Sequence, residues 1–172
     1  MPNVLRYAMN VLAVRDHSEM ELRRKIAAYL QSNLECENLE REALEGESTE
    51  RCAVLSEFDT QVEQAVFSCR QQGWLDDERY AQRYISSRSR KGYGRQRICS
   101  ELSQRGIDKS IQRVALQSCD IDWYLQAQAV ANRKFGSPLP TSWQERAKVQ
   151  RYLLYRGFSH DEIQSIYMNF SD

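Results

Sequence analysis

Seven basic side chains and no acidic one lie between residues 79 and 97 of this 172-residue sequence. Charged side chains are mostly solvent-exposed in any protein, so a solvated surface is one interpretation of such a run. Two features favour a binding surface instead. Gly92 and Gly94 interrupt the run, and Arg95 and Arg97 fall at the start of the next helix, where the helix dipole disfavours cations. A cationic helix start beside a glycine loop suits an anion, either a phosphate or the carboxylates of a partner.

The candidate contacts for a partner or for DNA are the cations of this stretch and of the helix end that follows it. They are Arg83, Arg88, Arg90, Lys91, Arg95, Arg97 and Arg105. The glycine loop beside them predicts accessible backbone amides.

Elsewhere the charge has the opposite sign. Seven glutamates and one arginine lie between Glu35 and Glu50, a net charge of −6, although the whole chain has 24 basic and 24 acidic residues. This composition predicts a mobile or partly helical acidic insertion at about residues 35–56, with a solubilising loop as its simplest role. Ordered structure is expected to resume at Asp59. The zero net charge argues against a protein that binds nucleic acid only through bulk charge.

Spacing argues against several classes of function. Two histidines, with no nucleophile placed beside a base, give no support for catalysis. Neither a Walker A loop nor a strand followed by G-x-G-x-x-G is present, so nucleotide binding is not expected. Five widely spaced cysteines without a C-x-x-C pair predict reduced, mostly buried thiols. We expect no enzyme activity, no cofactor and no metal.

Several conspicuous residues have structural interpretations. Asp76 and Asp77 precede a helical pattern and are expected to cap that helix. His17 precedes a capping sequence and His160 lies within one, and both are expected to be exposed. The tryptophans at helix boundaries are expected to anchor the core, with base stacking on an exposed ring as the alternative; they are Trp74, Trp123 and Trp143.

No apolar run approaches the roughly 18–20 residues needed to span a bilayer. The first residues lack the basic, apolar and small-residue order of a signal peptide. We expect a cytoplasmic protein, and since no feature demands a dimer, a monomer.

Apolar residues recur at helical spacing and are separated by glycines and capping sequences. Ser18–Glu21, Ser142–Glu145 and Ser159–Glu162 have the form of capping boxes. The first helix is expected to bury Leu5, Ala8, Met9 and Leu12. The sixth, capped by Asp108, is expected to bury Ile111, Val114 and Ala115.

The helices repeat as groups of three. Every third helix has a similar apolar face, and these faces start at Val62, Ile111 and Ile163, 49 and 52 residues apart. Arg105-Gly106-Ile107 also matches Arg156-Gly157-Phe158 in register. A period near 50 residues predicts an all-α tandem array of three three-helix repeats, elongated and curved. The expected repeats are residues 1–73 with the acidic insertion, 74–120 with the basic patch, and 121–172.

The stretch from Gly73 to Ile107 resembles the RecX family of bacterial RecA regulators. The resemblance is carried by Gly73-Trp-Leu-Asp-Asp-Glu-Arg-Tyr-Ala, by Arg88-Ser-Arg-Lys-Gly-Tyr-Gly, and by Glu101-Leu102 before Arg105-Gly106-Ile107. The segments that begin at Ala13 and Val149 are also similar to this family. Within these motifs, the residues expected to have a structural role rather than a binding role are Gly73, Trp74, Leu75, Asp76, Asp77, Tyr80, Gly92, Gly106 and Gly157.

The resemblance implies an array of three-helix repeats and a regulator that binds RecA filaments on single-stranded DNA. It implies restraint of filament extension, ATP hydrolysis, strand exchange and cleavage of the SOS repressor. It supplies no catalytic residues, and it is compatible with weak contact to single- or double-stranded DNA. The alternative is a helix-turn-helix-like protein that binds DNA independently of RecA. A helical adaptor for another protein partner is the third interpretation.

Overall fold

The computed structural model describes the backbone of residues 3–41 and 48–168, and the side chains of residues 3–33 and 57–168. These backbone segments form helices and no strands. The helices are α1 (Val4–Val14), α2 (Glu19–Arg41), α3 (Ser48–Gln71), α4 (Asp77–Arg90), α5 (Arg95–Gln104), α6 (Lys109–Ser118), α7 (Trp123–Phe135), α8 (Trp143–Arg156) and α9 (His160–Met168). The prediction of an all-α array of three-helix repeats is confirmed.

The chain divides into two compact units, Met1–Tyr80 and Ala81–Asp172. The first unit has nine basic and 16 acidic residues, a net charge of −7. The second unit has 15 basic and eight acidic residues, a net charge of +7. The zero net charge of the chain is therefore the sum of two oppositely charged units.

The first unit buries one face each of α1, α2 and α3 in a single apolar core. Its buried residues are Val4, Ala8, Leu22, Ile26, Leu30, Val62, Ala65, Val66, Cys69 and Leu75. The prediction for α1 is partly wrong, because Leu5 and Met9 are 38% and 43% exposed. A neighbouring stripe through Val4 and Ala8 faces the core, and Tyr7 on that side stacks on Tyr29 with ring centres 4.1 Å apart.

Two aspartates that adjoin in sequence serve different helices of the first unit. Asp76 caps α4, since its Oδ1 accepts a hydrogen bond from the Arg79 amide at 3.0 Å. The Oδ1 of Asp77 instead accepts from the Glu19 amide at 2.8 Å, at the start of α2. Burial raises the pKa of the Asp77 carboxyl. The capping prediction therefore holds for Asp76, and Asp77 stabilises the N-terminus of a helix 58 residues earlier.

The turn between α1 and α2 buries His17, which is 4% exposed. The prediction of an exposed side chain is wrong because the Nδ1 atom lies 2.8 Å from the Arg15 carbonyl oxygen, which turns the ring inward. Burial lowers the pKa of His17. The adjacent capping box is confirmed: the Ser18 amide donates to the Glu21 carboxylate at 3.3 Å, and the Glu21 amide to the Ser18 hydroxyl at 3.1 Å.

The acidic insertion is largely helical where the structure describes it. α2 continues to Arg41 and α3 begins at Ser48, so the expected start of the third helix near Asp59 is wrong. The glutamates between these ends lie outside the described residues, at positions 42–47. Mobility of the insertion remains a prediction.

The second unit contains most of α4, from Ala81 to Arg90, and all of α5 to α9. The core of the third repeat consists of Ala127, Val130, Ala131, Leu139, Val149, Leu153, Phe158, Ile163 and Ile166.

In α6 the expected burial of Val114 is wrong, since this residue is 49% exposed. Gln112 is buried instead, and its Nε2 donates to the Ile107 carbonyl at 2.9 Å, which satisfies a polar group within the turn before α6.

Glycine ends both α5 and α8, as predicted. Gly106 and Gly157 have φ angles of +76° and +93°, a region that glycine adopts without steric cost. The Ile107 amide donates to the Leu102 carbonyl at 3.1 Å, and the Phe158 amide donates to the Leu153 carbonyl at 3.1 Å. Both ends have the hydrogen bond and the following apolar residue typical of a glycine C-cap.

Two of the three tryptophans differ from the prediction that they anchor the core. Trp123 packs against the core of the third repeat, but Trp74 is 42% and Trp143 83% exposed. Trp143 is the first residue of α8 and its ring faces solvent, whereas Val149 and Leu153 of the same helix are buried. Among the described helices, none is both long and apolar enough to cross a bilayer.

Candidate partner-binding site

The candidate cations lie on both sides of the turn that joins α4 to α5. Gly92 ends α4 with φ of +80°, and its amide donates to the Ser89 carbonyl at 2.8 Å. A Cβ atom at Gly92 would lie 3.1 Å from the Val130 side chain of α7, so the turn is packed against the third repeat.

The backbone amides near this turn are occupied, in contrast to the prediction. The Gly94 amide donates to the Arg156 carbonyl at 2.9 Å, and the Gln96 amide donates to the Gly157 carbonyl at 3.0 Å. Carbonyl groups at the end of α8 therefore accept the hydrogen bonds from the start of α5. The prediction had assigned this role to an external anion.

The backbones meet here because both sides are glycine. A Cβ at Gly94 would collide with the Gly157 carbonyl group and lie 2.5 Å from the Phe158 nitrogen. A Cβ at Gly157 would lie 2.5 Å from the Arg97 nitrogen. We call this approach of Gly94 to Gly157 the glycine contact. It joins the second and third repeats through main-chain atoms.

Glu101 of α5 organises the arginines beside the glycine contact. Arg88 makes a bidentate ion pair with it, at 2.6 Å from Nε and 2.5 Å from Nη2. The Tyr84 hydroxyl donates to Glu101 at 2.7 Å, and Arg97 Nε donates at 3.2 Å. Burial alone would raise the pKa of Glu101, but these hydrogen bonds outweigh burial and hold the pKa at about 2. The carboxylate is therefore charged throughout the physiological pH range.

Three guanidinium groups converge on the ring of Tyr93. Their central carbons lie 4.4 Å (Arg88), 4.7 Å (Arg97) and 5.1 Å (Arg156) from the ring centre, within cation–π range. We call Arg88, Arg97, Arg156, Tyr93 and Glu101 the Arg–Tyr cluster. In the described part of the chain, Glu101 is the one carboxylate paired with these arginines, so the cluster has a net charge of +2.

The predicted site residues do not form one patch. Arg88 and Arg97 belong to the cluster, and Arg105 lies beside it, 4.7 Å from the Tyr84 ring centre. Arg83, Arg90 and Lys91 line a separate open groove, together with Gln82, Ser86, Ser87, Ser118 and Cys119. Arg95 lines a third depression, which also contains Asp120, Asp122, Asp161 and Glu162.

Sequence reasoning missed Arg156, Tyr93 and the role of Glu101. Arg156 donates to the Lys91 carbonyl at 3.2 Å and stacks on Tyr93, so it connects the third repeat to the turn of the second. The signal for Arg156 was present in the sequence, because this residue precedes Gly157 as Arg105 precedes Gly106. Tyr93 lies between Gly92 and Gly94, and a residue flanked by two glycines is typical of a solvated loop, so the sequence offered no reason to expect a binding role.

The cluster suits recognition of a carboxylate or a phosphate. A guanidinium offers paired donors in a fixed plane, and stacking on Tyr93 limits the side-chain freedom that binding would otherwise remove. The described residues contain no group of three or more His, Cys, Asp or Glu residues that could hold a metal ion. The fold thus defines a helical-repeat protein whose second unit carries a prearranged cationic surface.

Comparison with known families identifies the repeats. Residues 76–116 match the model for the second three-helix domain of RecX, and residues 120–166 match the model for the third. The chain is 58% identical to the regulatory protein RecX of Pectobacterium atrosepticum, over 100% of both chains. It is 52% identical to that of Serratia proteamaculans, over 99% of both. The chain belongs to the RecX family, and the predicted family resemblance is confirmed.

Solved structures support the fold. The crystal structure of RecX from Lactobacillus salivarius aligns with a TM-score of 0.68 at 19% sequence identity, over 96% of this chain and 93% of that one. A second crystal structure of regulatory protein RecX aligns with a TM-score of 0.66 at 20% identity, over 95% of this chain and 70% of that one. At these identities the likeness shows the arrangement of helices.

Proposed function

We propose that this chain is a non-catalytic, monomeric, cytoplasmic regulator of RecA. It binds the RecA filament on single-stranded DNA and restrains filament extension, ATP hydrolysis, strand exchange and SOS coprotease activity. The observation that carries the proposal is 58% identity, over the full length, to a protein named for regulation within the RecX family. Family resemblance supplies RecA as the partner.

The second unit supplies the surface for this interaction. Its charge of +7 favours approach to an acidic protein surface or to DNA phosphates. Arg88 and Arg97 are held by Glu101, so their main role is to fix the geometry of the cluster. Arg90, Lys91 and Arg95 are exposed and are the cations best placed to contact a partner first.

Titration of the protein into RecA that is hydrolysing ATP on single-stranded DNA tests the proposal. We expect the wild-type protein to inhibit hydrolysis at less than one molecule per RecA. Joint replacement of Arg90, Lys91 and Arg95 by Ala should raise the concentration for half-inhibition roughly tenfold, as expected for about 1.4 kcal/mol of lost binding energy.

A charge-matched variant separates local contact from loss of net charge. Joint replacement of Arg24, Lys25 and Arg113 by Ala also removes three exposed cations, from α2 and α6. This control should inhibit like the wild type. Failure of the wild-type protein to alter either hydrolysis or filament assembly would refute the proposal.

Independent DNA binding is the second candidate, favoured by the groove that Arg83, Arg90 and Lys91 line in the positively charged second unit. Binding to duplex DNA without RecA would then be tight and strongly salt-dependent. The logarithm of the affinity would fall by about 0.9 for each neutralised phosphate per decade of salt. Tight, salt-sensitive duplex binding without any effect on RecA would favour this candidate.

A further inference from the structure

One side of α8 is exposed and combines aromatic with basic side chains. The opposite side contains Val149 and Leu153, which are fully buried in the core of the third repeat. Trp143 is 83% and Tyr155 72% exposed. The α8 surface is defined by Trp143, Lys148, Arg151, Leu154 and Tyr155.

Helix geometry spreads these residues over one broad strip of α8, in which Trp143 and Tyr155 lie about 120° apart around the helix axis. Trp143 and Arg151 are eight residues apart, a little more than two turns, and Lys148 and Tyr155 are seven apart, a little less than two. At about 1.5 Å per residue, Trp143 and Tyr155 are separated by about 18 Å along the axis, the length of roughly five stacked nucleotides at about 3.4 Å each. The two cations lie between the aromatic ends.

The strip is positively charged. The one acidic residue of α8, Glu145, accepts a hydrogen bond from the Ser142 hydroxyl at 2.7 Å at the helix start. At the other end, Arg97 lies 5.1 Å from the Tyr155 ring centre and donates to the Tyr155 carbonyl at 3.2 Å. The α8 surface therefore adjoins the Arg–Tyr cluster through Arg97.

We propose that the α8 surface binds single-stranded nucleic acid. Bases stack on the rings of Trp143 and Tyr155, and phosphates contact Lys148 and Arg151. Exposed aromatic rings interleaved with cations are the features by which proteins hold single strands with little sequence preference. This inference goes beyond the proposed function, because it assigns a nucleic-acid contact to the third repeat that requires no RecA.

Other occupants fit the α8 surface less well. Protein interfaces are depleted in lysine near their centre, whereas Lys148 lies between the two aromatic ends. A second copy of the chain would place two positively charged strips against each other. An acidic protein segment would satisfy Lys148 and Arg151 but would leave the exposed Trp143 without a matching planar group.

Fluorescence anisotropy of a labelled oligothymidylate, titrated with the full chain at low salt, tests this proposal. Trp143→Ala and Tyr155→Ala should each weaken binding roughly fivefold or more, the effect of losing one stacked base. On an oligonucleotide of abasic sites the same variants should bind like the wild type, since no base is present to stack. Joint replacement of Lys148 and Arg151 by Ala should make the salt dependence less steep.

Matched controls come from exposed residues elsewhere. Trp74→Ala removes a partly exposed ring from the first unit, and joint replacement of Lys109 and Arg113 by Ala removes two exposed cations from α6. Both should leave oligothymidylate binding nearly unchanged. The proposal is wrong if the wild type does not bind, if Trp143→Ala and Tyr155→Ala have no effect, or if they weaken binding to the abasic strand equally. Displacement of the abasic strand by polyglutamate, with no preference for bases, would assign the surface to an acidic protein.

Discussion

The same three-residue pattern ends α5 and α8, yet the two copies have different surroundings. Arg105-Gly106-Ile107 and Arg156-Gly157-Phe158 make equivalent cap hydrogen bonds. In each, the amide of the residue after glycine donates to a carbonyl of the preceding helix over 3.1 Å. Gly106 is exposed, whereas Gly157 is buried against the start of α5. Both caps end a helix, but the second also joins two repeats.

The arginines of the two patterns differ in the same way as the glycines. Arg105 donates to the Glu101 carbonyl of its own helix, four residues earlier. Arg156 donates to the Lys91 carbonyl, 65 residues earlier, and stacks on Tyr93. A motif that forms through local hydrogen bonds has thus acquired, in its second copy, contacts that cross from the third repeat to the second. These contacts place Arg156 in the Arg–Tyr cluster.

The largest expected effect is on the glycine contact. Gly94→Ala should lower the free energy of unfolding by about 3 kcal/mol, because the new methyl group would overlap main-chain atoms of Gly157 and Phe158. The φ angle of Gly94 is −83°, which alanine adopts without strain, so the overlap with Gly157 and Phe158 is the main cost. Urea unfolding followed by circular dichroism measures it.

Gly106→Ala is the matched control for this prediction. Its cost should be about 1–2 kcal/mol, since a residue with a Cβ is strained at a φ of +76°. Equal or smaller destabilisation by Gly94→Ala would mean that the glycine contact does not hold the second and third repeats together.

A smaller effect, about 2 kcal/mol at neutral pH, is expected for Glu101→Gln. The substitution preserves shape but leaves the half-buried Arg88 and Arg97 without their counter-charge. The pKa of Glu101 is depressed to about 2 in the folded protein, from an ordinary 4.5. Its stabilisation should therefore be complete above about pH 4.5 and should fall as the pH decreases towards 2.

Urea unfolding at several pH values checks the Glu101 prediction. The difference in stability between wild type and Glu101→Gln should shrink as the pH falls through this window. Glu57→Gln, in an exposed part of α3, is the control and should show little difference from wild type. A wild-type advantage that stays constant down to pH 2 would contradict the proposed role of the ionised carboxylate.

Local rules predicted most helix ends, because caps and glycine stops depend on residues within one turn. The Ser18–Glu21 box, the Asp108 cap and both glycine stops are examples. The repeat period then predicted that the helices form three groups of three. Nothing local distinguishes Gly106 from Gly157, and it is the approach of Gly157 to the backbone of Arg97 at the start of α5 that leaves no room for a Cβ atom.

The candidate site was predicted less well for the same reason. A run of cations shows where positive charge is concentrated, but not which guanidiniums are already paired. Arg88 was expected to contact a partner, yet it is held by Glu101 in the next helix. Asp77 was expected to cap its own helix, yet it bonds to Glu19 of α2. Long-range pairs of this kind require the tertiary structure.

The smallest expected effect is the difference in stability cost between replacing Arg156 and replacing Arg105, the two arginines of the repeated pattern. Arg156→Ala should cost about 1–2 kcal/mol, because it removes the hydrogen bond to Lys91 and stacking on Tyr93 and Tyr152. Arg105→Ala should cost about 0.5–1 kcal/mol, since its guanidinium stacks on one ring, that of Tyr84.

Salt sharpens this last comparison. Arg156 lies near Arg88 and Arg97 around one ring, so its removal also relieves repulsion at low salt. Because salt screens that repulsion, while ring stacking and the hydrogen bond to Lys91 persist, the cost of Arg156→Ala should increase from low to high ionic strength. Urea unfolding at two salt concentrations measures the change. If the cost instead decreases with salt, attraction to Glu101 outweighs repulsion within the Arg–Tyr cluster.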